Sequence, residues 1–294
     1  MIKVFGLKRI LIVGCGDIGM KLISKLKNKF RVFAITTKIE RVSEIRNAGA
    51  TPILADLDKK ETLYRLKGIA NIIIHLAPPK KIGQVDERTK RLIPFLPFNC
   101  VFIYISTTGV YGDCHGKFIN ETEPVKPKSL RAKRRLDAEI KLRNWSKKNK
   151  SRLSILRVSG IYAENRLPVD RLKKITYMID KKEDVYTNRI HADDLVNSII
   201  LSIFRSKSQR IYNIVDDSNN LMGDYFDILA KNLNLIKPKR LPKSKVESLV
   251  SPELFSFMKE SRRISNERIK NELGLVLNWK KVEDFISNLS LTKY

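Results

Sequence analysis

The stretch that decides the fold of this chain is Leu11-Ile-Val-Gly14-Cys-Gly16-Asp17-Ile18-Gly19, where a short apolar run leads into a G-x-G-x-x-G pattern. In such a pattern the first glycine permits a tight turn, the second lets a pyrophosphate approach the backbone, and the third allows close helix–strand packing. The pyrophosphate rests on the first amides of the helix that follows. The motif therefore predicts a dinucleotide-binding turn, with Asp17 and Ile18 beside Gly14, Gly16 and Gly19. A purely structural glycine turn is the alternative.

The rest of the first half alternates short apolar runs with amphipathic stretches. Continuously apolar strands are typical of a parallel sheet with both faces buried, and strand–helix alternation predicts right-handed crossovers. We therefore predict an α/β fold with a doubly wound parallel sheet of the Rossmann type. The predicted strands are Arg9–Val13, Arg31–Thr36, Thr51–Leu54, Ala70–Leu76, Cys100–Ser106 and Leu153–Val158, and the helices lie near Ile18–Asn28, Ile39–Asn47, Lys59–Leu66, Asp86–Phe95 and Leu130–Trp145.

The pattern loosens in the second half of the chain. Pro238 and Pro242 predict a loop over 237–245, because proline interrupts both helices and ladders. The length indicates two domains. We expect a dinucleotide-binding domain over 1–160 and a smaller mixed α/β substrate-binding region over 161–294, partly interleaved with the first. Further helices are predicted near 168–180, 192–205, 222–233 and 281–289, with a short strand over Arg210–Val215.

Composition narrows the class of protein. Hydrophobic residues make up 43% of the 294 residues, which is enough for a core, and the net charge is +27. Such a charge attracts polyanions, although a lysine-rich solvated surface is the plainer explanation. Three cysteines and three scattered histidines give neither a disulfide framework nor zinc-ligand spacing, and no apolar run has the length of a membrane span or a signal segment. We expect a cytoplasmic protein that binds no metal and does not associate with a membrane.

The residues after the second strand bear on the choice of dinucleotide. NAD sites usually place an acid there, where it accepts a hydrogen bond from the ribose 2′-hydroxyl. This chain has Thr36, Thr37, Lys38 and Arg41 instead. Hydroxyls and cations suit a 2′-phosphate, because they donate hydrogen bonds to it and neutralise its charge. The sequence therefore favours NADP over NAD, and ordinary solvated residues at a helix start are the plainer explanation.

Further motifs follow the strands in a fixed order. They comprise Asp56, His75-Leu-Ala-Pro78, Ser106-Thr-Thr-Gly-Val-Tyr-Gly112, 156–162, 189–195 and 211–215. In this order and spacing the chain resembles, over nearly its whole length, the extended short-chain dehydrogenase/reductase family, also called the NAD-dependent epimerase/dehydratase family. The resemblance implies an NAD(P)-binding oxidoreductase or epimerase that acts on a small anionic substrate, such as a nucleotide sugar.

The resemblance also implies which further residues contact the dinucleotide. Asp56 would lie near the adenine, and Ala77 and Pro78 would line the adenine–ribose side of the groove. Gly160 and Tyr162 would flank the nicotinamide end. These roles rest on matching motif positions and not on the chemistry of the residues alone.

The chain departs from the family on the helix after the fifth strand. The family has a Tyr and a Lys four residues apart there, on one helix face, with the Tyr as general acid/base and the Lys lowering its pKa. Arg131 and Arg135 occupy these catalytic positions, and we expect both to face a groove. Arginine keeps its proton near neutral pH and cannot shuttle one. Thr107 matches the catalytic Ser/Thr that binds the substrate oxygen. Thr107, Tyr111 and His115 are candidate surrogate acids by proximity to the motif alone.

A basic run coincides with the same helix. Residues 126–152 contain twelve basic and two acidic residues. A solvated helix face is the plainer explanation, and a phosphate-binding surface for an anionic substrate or an RNA backbone is the alternative. Two functions stay open. One is an NADP-dependent oxidoreductase or epimerase; the other is a dinucleotide-binding protein without turnover that senses redox state or associates with nucleic acid. Either function is compatible with a homo-oligomer.

Overall fold

The computed structural model describes residues 6–174 and 177–289. These residues form two compact units, each with its own hydrophobic core. Unit 1 comprises 6–110, 130–157 and 196–212, and unit 2 comprises 111–129, 158–195 and 213–289. The chain crosses between the units five times, and one crossing lies near the expected division at residue 160.

Seven of the strands form one parallel sheet, so the predicted doubly wound α/β fold is confirmed. Ile10 on the central strand pairs with Val32 on one side and with Ile72 on the other. The strands in chain order are β1 (Arg9–Val13), β2 (Arg31–Thr36), β3 (Thr51–Leu54), β4 (Ile72–His75), β5 (Val101–Thr107), β6 (Phe118–Ile119), β7 (Arg152–Val158), β8 (Gly160–Tyr162), β9 (Tyr177–Ile179), β10 (Arg189–His191), β11 (Arg210–Ile214), β12 (Lys239–Leu241) and β13 (Arg263–Ile264).

The order of the large sheet is β11-β7-β5-β4-β1-β2-β3. The chain order reverses between β1 and β4, and open α/β sheets bind ligands beyond the carboxyl ends of strands at such a point. The strands are buried without alternation, from Ile10 to Val13 on β1 and from Phe102 to Ser106 on β5. This burial on both faces is what the continuous apolar runs of the sequence require.

The helices of the described residues agree with most of the predicted ones to within three residues at their ends. None of them is long and apolar enough to cross a membrane. They are α1 (Asp17–Leu26), α2 (Arg41–Asn47), α3 (Glu87–Leu92), α4 (Leu130–Lys148), α5 (Val169–Lys174), α6 (Ala192–Arg205), α7 (Met222–Asn232), α8 (Lys243–Leu249), α9 (Pro252–Phe257), α10 (Glu267–Leu273) and α11 (Val282–Ser287), with 3₁₀ turns over Lys60–Leu66, Ile93–Phe95, Thr108–Tyr111 and Glu164–Arg166.

Two predictions for the second half are wrong. The expected loop over 237–245 contains β12, which pairs with β9, and α8 begins directly after Pro242. The helix predicted over 168–180 ends at Lys174, and 177–179 form β9, while residues 175 and 176 lie outside the described part. Strands of three residues carry no periodicity, so only their pairing partners in the fold define them.

Unit 2 is built from short parallel pairs and helices. The pairs are β10 with β8, β12 with β9, and β13 with β6. Asp194 joins the start of α6 to the segment before α11, because its carboxylate accepts hydrogen bonds from the amides of Asn278 and Trp279. The core of this unit packs apolar side chains of α7, α8, α9 and α11 around Tyr225 and Met258.

The basic helix α4 is not solvated at all of its basic residues. Arg134, one of the residues expected on a solvated or RNA-binding face, is buried and donates a hydrogen bond to the carbonyl of Gly83 at 2.7 Å. Glu139 is also buried and accepts from Ser106 on β5 and from Arg157 on β7, the latter at 2.8 Å. These contacts explain how a helix with few apolar residues is held against the sheet.

We predict that Glu139→Ala lowers the free energy of unfolding by about 3–5 kcal/mol, because Arg157 is left buried without its carboxylate. The measurement is urea unfolding followed by circular dichroism. The control is Lys90→Ala, which removes an exposed ion pair with Glu87 and should cost less than about 1 kcal/mol. Equal losses in the two variants would contradict the role given to Glu139.

Candidate functional site

The turn after β1 requires its first glycine. Gly14 has a φ of +93°, and a Cβ atom built on it would lie 2.5 Å from the backbone nitrogen of Ala77. The amides of Leu76 and Ala77 both donate to the carbonyl of Val13, at 2.8 and 2.9 Å. The ends of β1 and β4 are therefore held together at the point where the sheet order reverses.

The second and third glycines of the motif, Gly16 and Gly19, differ in the room they leave for a Cβ atom. A Cβ atom on Gly16, the residue before α1, would meet no atom within 4 Å. On Gly19 it would lie 3.2 Å from the Cys15 sulfur and 3.4 Å from the Gly14 carbonyl. Gly19 therefore lets α1 pack on its own turn, which corrects the expectation of helix–strand packing. Asp17 and the buried Ile18 form the first residues of the helix.

The loop after β2 uses its threonines in different ways. Thr36 is buried, and its hydroxyl donates to the carbonyl of Lys38 and accepts from the Lys38 amide. Thr37 and the Lys38 side chain are exposed, and the Lys38 ammonium lies 3.9 Å from Glu40. The Thr36 hydroxyl thus shapes the loop, and Lys38 is the residue that extends into solvent.

Arg41 reaches back from α2 to the glycine turn. Its guanidinium donates to the carbonyl of Cys15 and forms two hydrogen bonds to Glu44, at 2.8 and 3.1 Å. The hydrogen bonds from Arg41 hold the pKa of Glu44 below its usual range. The structure therefore brings the predicted cation to the turn, but it also supplies an acid that the sequence analysis missed. The i, i+3 spacing of the two residues was the available signal.

The segments after β3 and β4 lie at the same edge of the sheet. Asp56 is half-buried, and one of its carboxylate oxygens accepts from the amide of Asp58 at 2.8 Å. Ala77 is buried against the glycine turn, whereas Pro78 is exposed and accepts at its carbonyl from Arg88 at 3.0 Å. Arg88 in turn forms an ion pair with Asp58 at 2.7 Å. These contacts fix the backbone on which the predicted adenine-side residues lie.

The arginines of α4 do not lie free in a groove. Arg135 is half-buried and donates to the carbonyl of Ile105 at 2.9 Å, and to the carbonyl of Ala77 and the hydroxyl of Tyr104 at 3.3 Å each. It is therefore fixed to the ends of β4 and β5. Burial raises the pKa of Tyr104 to about 12, so this phenol does not give up its proton at neutral pH. Arg131, one turn earlier, is also half-buried.

The candidate proton donors lie in unlike surroundings. Thr107 is half-buried at the end of β5, and its hydroxyl accepts from the amide of Gly109 at 3.2 Å. Tyr111 is 1% exposed and donates its hydroxyl proton to Asn213 at 2.7 Å, which argues against its expected role as a surrogate acid. His115 is exposed beside Asp113. Thr107 alone combines partial exposure with a position at a strand end of the large sheet.

Unit 2 holds the two predicted nicotinamide-side residues and one cation that the sequence analysis missed. Tyr162 is 1% exposed and packs against His191 and Phe285, which argues against its expected place at the nicotinamide end. A Cβ atom on Gly160 would lie 3.1 Å from the guanidinium of Arg189. Arg189 stacks 3.8 Å from the centre of the Tyr225 ring, and its Nε is buried with no hydrogen-bond partner among the described residues.

Among the residues that the structure describes, metal-binding clusters and the thiol of the glycine turn were the other candidates for chemistry. No group of three His, Cys, Asp or Glu side chains in 6–174 and 177–289 is arranged to hold a metal ion. Burial raises the pKa of the Cys15 thiol to about 11, so this cysteine stays protonated although it lies in the glycine turn. A protonated, buried thiol is a poor nucleophile.

A sequence model described as "NAD dependent epimerase/dehydratase family" matches residues 10–214 of the chain. Two curated relatives are both described as dTDP-D-glucose 4,6-dehydratase. The one from Bos taurus is 26% identical over 144 residues, which are 46% of this chain and 40% of that protein. The one from Homo sapiens is 26% identical over 121 residues, 38% of this chain and 35% of that protein. The chain thus matches less than half of the length of these relatives.

Three solved structures share the fold over almost the whole chain. A functionally unknown conserved protein from Silicibacter pomeroyi has 25% identity and a TM-score of 0.76, with coverage of 95% of this chain and 96% of that one. A UDP-glucose 4-epimerase from Thermotoga maritima, solved with UDP-glucose, has 17% identity and a TM-score of 0.75, with 97% of each chain covered. A dTDP-glucose 4,6-dehydratase from Streptomyces venezuelae, solved with NAD, has 16% identity and a TM-score of 0.76, with coverage of 95% and 94%.

The two glycines of the turn give opposite predictions. Gly14→Ala should lower the free energy of unfolding by more than about 2 kcal/mol, because the residue has positive φ and no room for a Cβ. Gly16→Ala should leave stability within about 0.5 kcal/mol and weaken binding of a dinucleotide by at least about tenfold. Thermal unfolding and fluorescence titration with NADPH measure both effects. Unchanged binding in Gly16→Ala would contradict a pyrophosphate at this turn.

Proposed function

Because this chain belongs to the NAD dependent epimerase/dehydratase family, we propose that it binds a nicotinamide dinucleotide and acts as an oxidoreductase of the epimerase/dehydratase type on an anionic, nucleotide-sugar-like substrate. The observation that carries this proposal is the glycine turn of unit 1. Gly14 allows the backbone to approach β4, and Gly16 leaves space over the first amides of α1. A bound nicotinamide would supply or accept a hydride.

The residues of the sheet edge have distinct roles in the proposed binding. The amides at the start of α1, beside Asp17 and Ile18, would hold the pyrophosphate, because they point outward and carry the positive end of the helix dipole. Asp56 would accept from the adenine with the carboxylate oxygen that does not bind Asp58. Ala77 and Pro78 would exclude water from the adenine–ribose side. The exposed Gly160 would contribute at the nicotinamide end.

We further propose that the site prefers NADP to NAD. Arg41 lies against the glycine turn and Lys38 extends beside it, so that a 2′-phosphate would meet two cations and the exposed Thr37 hydroxyl. Glu44 opposes this preference, because it already accepts two hydrogen bonds from Arg41. The preference should therefore be modest in the natural protein and should grow when Glu44 loses its charge.

At equal concentration NADPH should raise the melting temperature more than NADH, and Glu44→Gln should widen that difference, since Arg41 becomes free to bind the 2′-phosphate. Differential scanning fluorimetry gives the shifts, and isothermal titration calorimetry gives the ratio of dissociation constants, which we expect to change by about fivefold or more. Glu267→Gln, the same change of charge at an exposed position of unit 2, should leave the ratio unchanged. A larger shift with NADH would refute the preference.

Arg189 supports the choice of an anionic substrate. Its guanidinium stacks on Tyr225, which fixes its plane, and its Nε is buried with no partner in the described part of unit 2. A stacked guanidinium whose Nε has no partner is suited to a phosphate, because its hydrogen bonds to phosphate oxygens are charge-assisted. The diphosphate of a nucleotide sugar has this chemistry.

Arg189→Met should weaken the binding of UDP-glucose by at least about tenfold, because a charge-assisted hydrogen-bond pair is lost while the packing on Tyr225 is kept. Isothermal titration calorimetry measures the dissociation constant. Lys231→Met, which removes an exposed cation from the same unit, is the matched control. If both variants bind UDP-glucose as the natural protein does, Arg189 is not the anion-binding residue.

An enzymatic function of this type requires a residue that transfers a proton to or from the substrate. Arg131 and Arg135 stand where the family has its Tyr and Lys, and Arg135 is tied to the carbonyls of Ala77 and Ile105. A fixed cation can stabilise an oxyanion but cannot deliver a proton to it. Thr107 could hydrogen-bond a substrate oxygen without acting as an acid. This fixed Arg135 favours a second candidate function, dinucleotide binding without turnover, as in a redox sensor.

The natural protein should oxidise NADPH slowly or not at all with a panel of small carbonyl compounds. Arg131→Tyr with Arg135→Lys should create measurable turnover, because the pair restores an acid and the cation that lowers its pKa. Arg131→Phe with Arg135→Lys, which lacks only the hydroxyl, should not. Absorbance at the NADPH band measures the rates. Turnover by the natural protein at ordinary rates would show that a surrogate acid exists, and binding of NADPH without turnover in all three proteins would favour the sensor.

A further inference from the structure

The amino ends of the seven parallel strands lie at the edge of the sheet opposite the glycine turn. A connecting segment leads into each of these strands. It begins with the last two residues of the preceding helix or 3₁₀ turn and ends with the first residue of the strand; the segment before β1 begins at residue 6. These segments are 6–9, 25–31, 46–51, 65–72, 94–101, 147–152 and 204–210, and all belong to unit 1. We call their cationic residues the basic edge.

The seven segments of the basic edge are rich in cations and contain no acid of their own. They contain sixteen lysines and arginines and neither aspartate nor glutamate. Fourteen of the sixteen are exposed and two are half-buried. They are Lys8, Arg9, Lys25, Lys27, Lys29, Arg31, Arg46, Arg65, Lys67, Lys147, Lys148, Lys150, Arg152, Arg205, Lys207 and Arg210.

The general basicity of the chain does not explain this distribution. At the opposite edge, the segments 13–18, 36–42, 54–61 and 75–88 lead from the first four strands into the next helical element. Together they contain seven basic and seven acidic residues. A chain with a uniform excess of lysine would be basic at both edges. The excess of unit 1 is instead concentrated where the proposed dinucleotide site is not.

Helix dipoles do not account for the charge either. Four α-helices, α1, α2, α4 and α6, lead directly into strands at this edge, and each contributes about −0.5 charge, or about −2 in all. Arg152 is used in this way, since it donates to the carbonyls of Ile203 and Ser206 at the end of α6. Helix dipoles therefore offset only a small part of the sixteen positive charges.

A groove at the basic edge adds apolar and amide groups to the cations. It has a volume of about 480 Å³ and is lined, among others, by Phe30, Asn71, Asn99, Arg152 and Phe204. Phe204 is 60% exposed, with its ring centre 6.0 Å from that of Phe30. An exposed ring beside cations is a stacking surface for a nucleobase, and side-chain amides can both donate to and accept from base edges. The volume is in the range of small-ligand pockets.

We propose that the basic edge binds single-stranded nucleic acid, with the phosphates on its lysines and arginines and a base stacked on Phe204. A membrane surface would need the cations but not a concave groove with an aromatic ring and two amides. An acidic protein would likewise leave Phe204 and the asparagines without a matching group. Helix α4 contributes only its end, Lys147 and Lys148, because Arg134 is buried. The proposal is independent of the dinucleotide site.

The test is fluorescence anisotropy of the full chain with a labelled oligouridylate of about 12 nucleotides. The natural protein should bind it, and the logarithm of the affinity should fall linearly with the logarithm of salt concentration between about 50 and 200 mM. Replacing Lys29, Lys150 and Lys207 by Glu should weaken binding at least about a hundredfold and flatten the salt dependence. Phe204→Ala should weaken it about fivefold or more with the salt dependence unchanged.

The matched control reverses three exposed lysines of unit 2, Lys231, Lys237 and Lys245, to Glu, so that the net charge changes equally. It should weaken binding less than about threefold. Circular dichroism verifies folding, and Lys→Gln replacements at the same three edge positions serve if the Glu variant unfolds. Absence of binding by the natural protein, or equal losses in both triple variants, would overturn the proposal. So would equal affinity for polyglutamate or for anionic vesicles, since that would indicate an acidic protein or a membrane as partner.

Discussion

The close approach of Gly14 to Ala77 is the constraint on which the rest of the site depends. A Cβ atom in the turn would lie 2.5 Å from the Ala77 nitrogen, so only glycine lets β1 and β4 end side by side. The Val13 carbonyl then accepts from two amides of the chain after β4. This contact sets where α1 begins and therefore where its first amides point. It also fixes the Ala77 carbonyl, to which Arg135 donates.

The contacts of α4 with the strand ends bear on the proposed replacement of the family's Tyr and Lys by Arg131 and Arg135. In this fold the helix after β5 lies against the strand ends, and Glu139 holds it there through Ser106 and Arg157. Arg135 uses its donors on carbonyls of those strand ends. In the function proposed above, the site keeps the shape that suits a dinucleotide, and α4 offers Arg131 and Arg135 in place of an acid. Dinucleotide binding and proton transfer depend on different residues, so family membership alone does not establish turnover.

The sequence predicted the parallel sheet well because every strand of its central part is a continuous apolar run bounded by turn residues. It also located the glycine turn, Thr36 and Arg41 at the same edge. It could not reveal that Arg134 is buried or that Tyr111 donates to Asn213. Those outcomes depend on which side chains meet in three dimensions. The short strands β9 and β12 were not predicted for the same reason, because three residues carry no periodic pattern of their own.

The two edges of the parallel sheet in unit 1 differ in charge. The edge at the glycine turn is charge-balanced, and the edge at the amino ends of the strands is the basic edge. We propose that the outward amides at the start of α1, at the charge-balanced edge, hold a pyrophosphate. Amide hydrogen exchange with and without NADPH tests it most directly. Exchange at the amides from Asp17 to Gly19 and in the loop after β2 should be slower when NADPH is present. Unchanged exchange at those amides, under conditions where NADPH is bound, would contradict it.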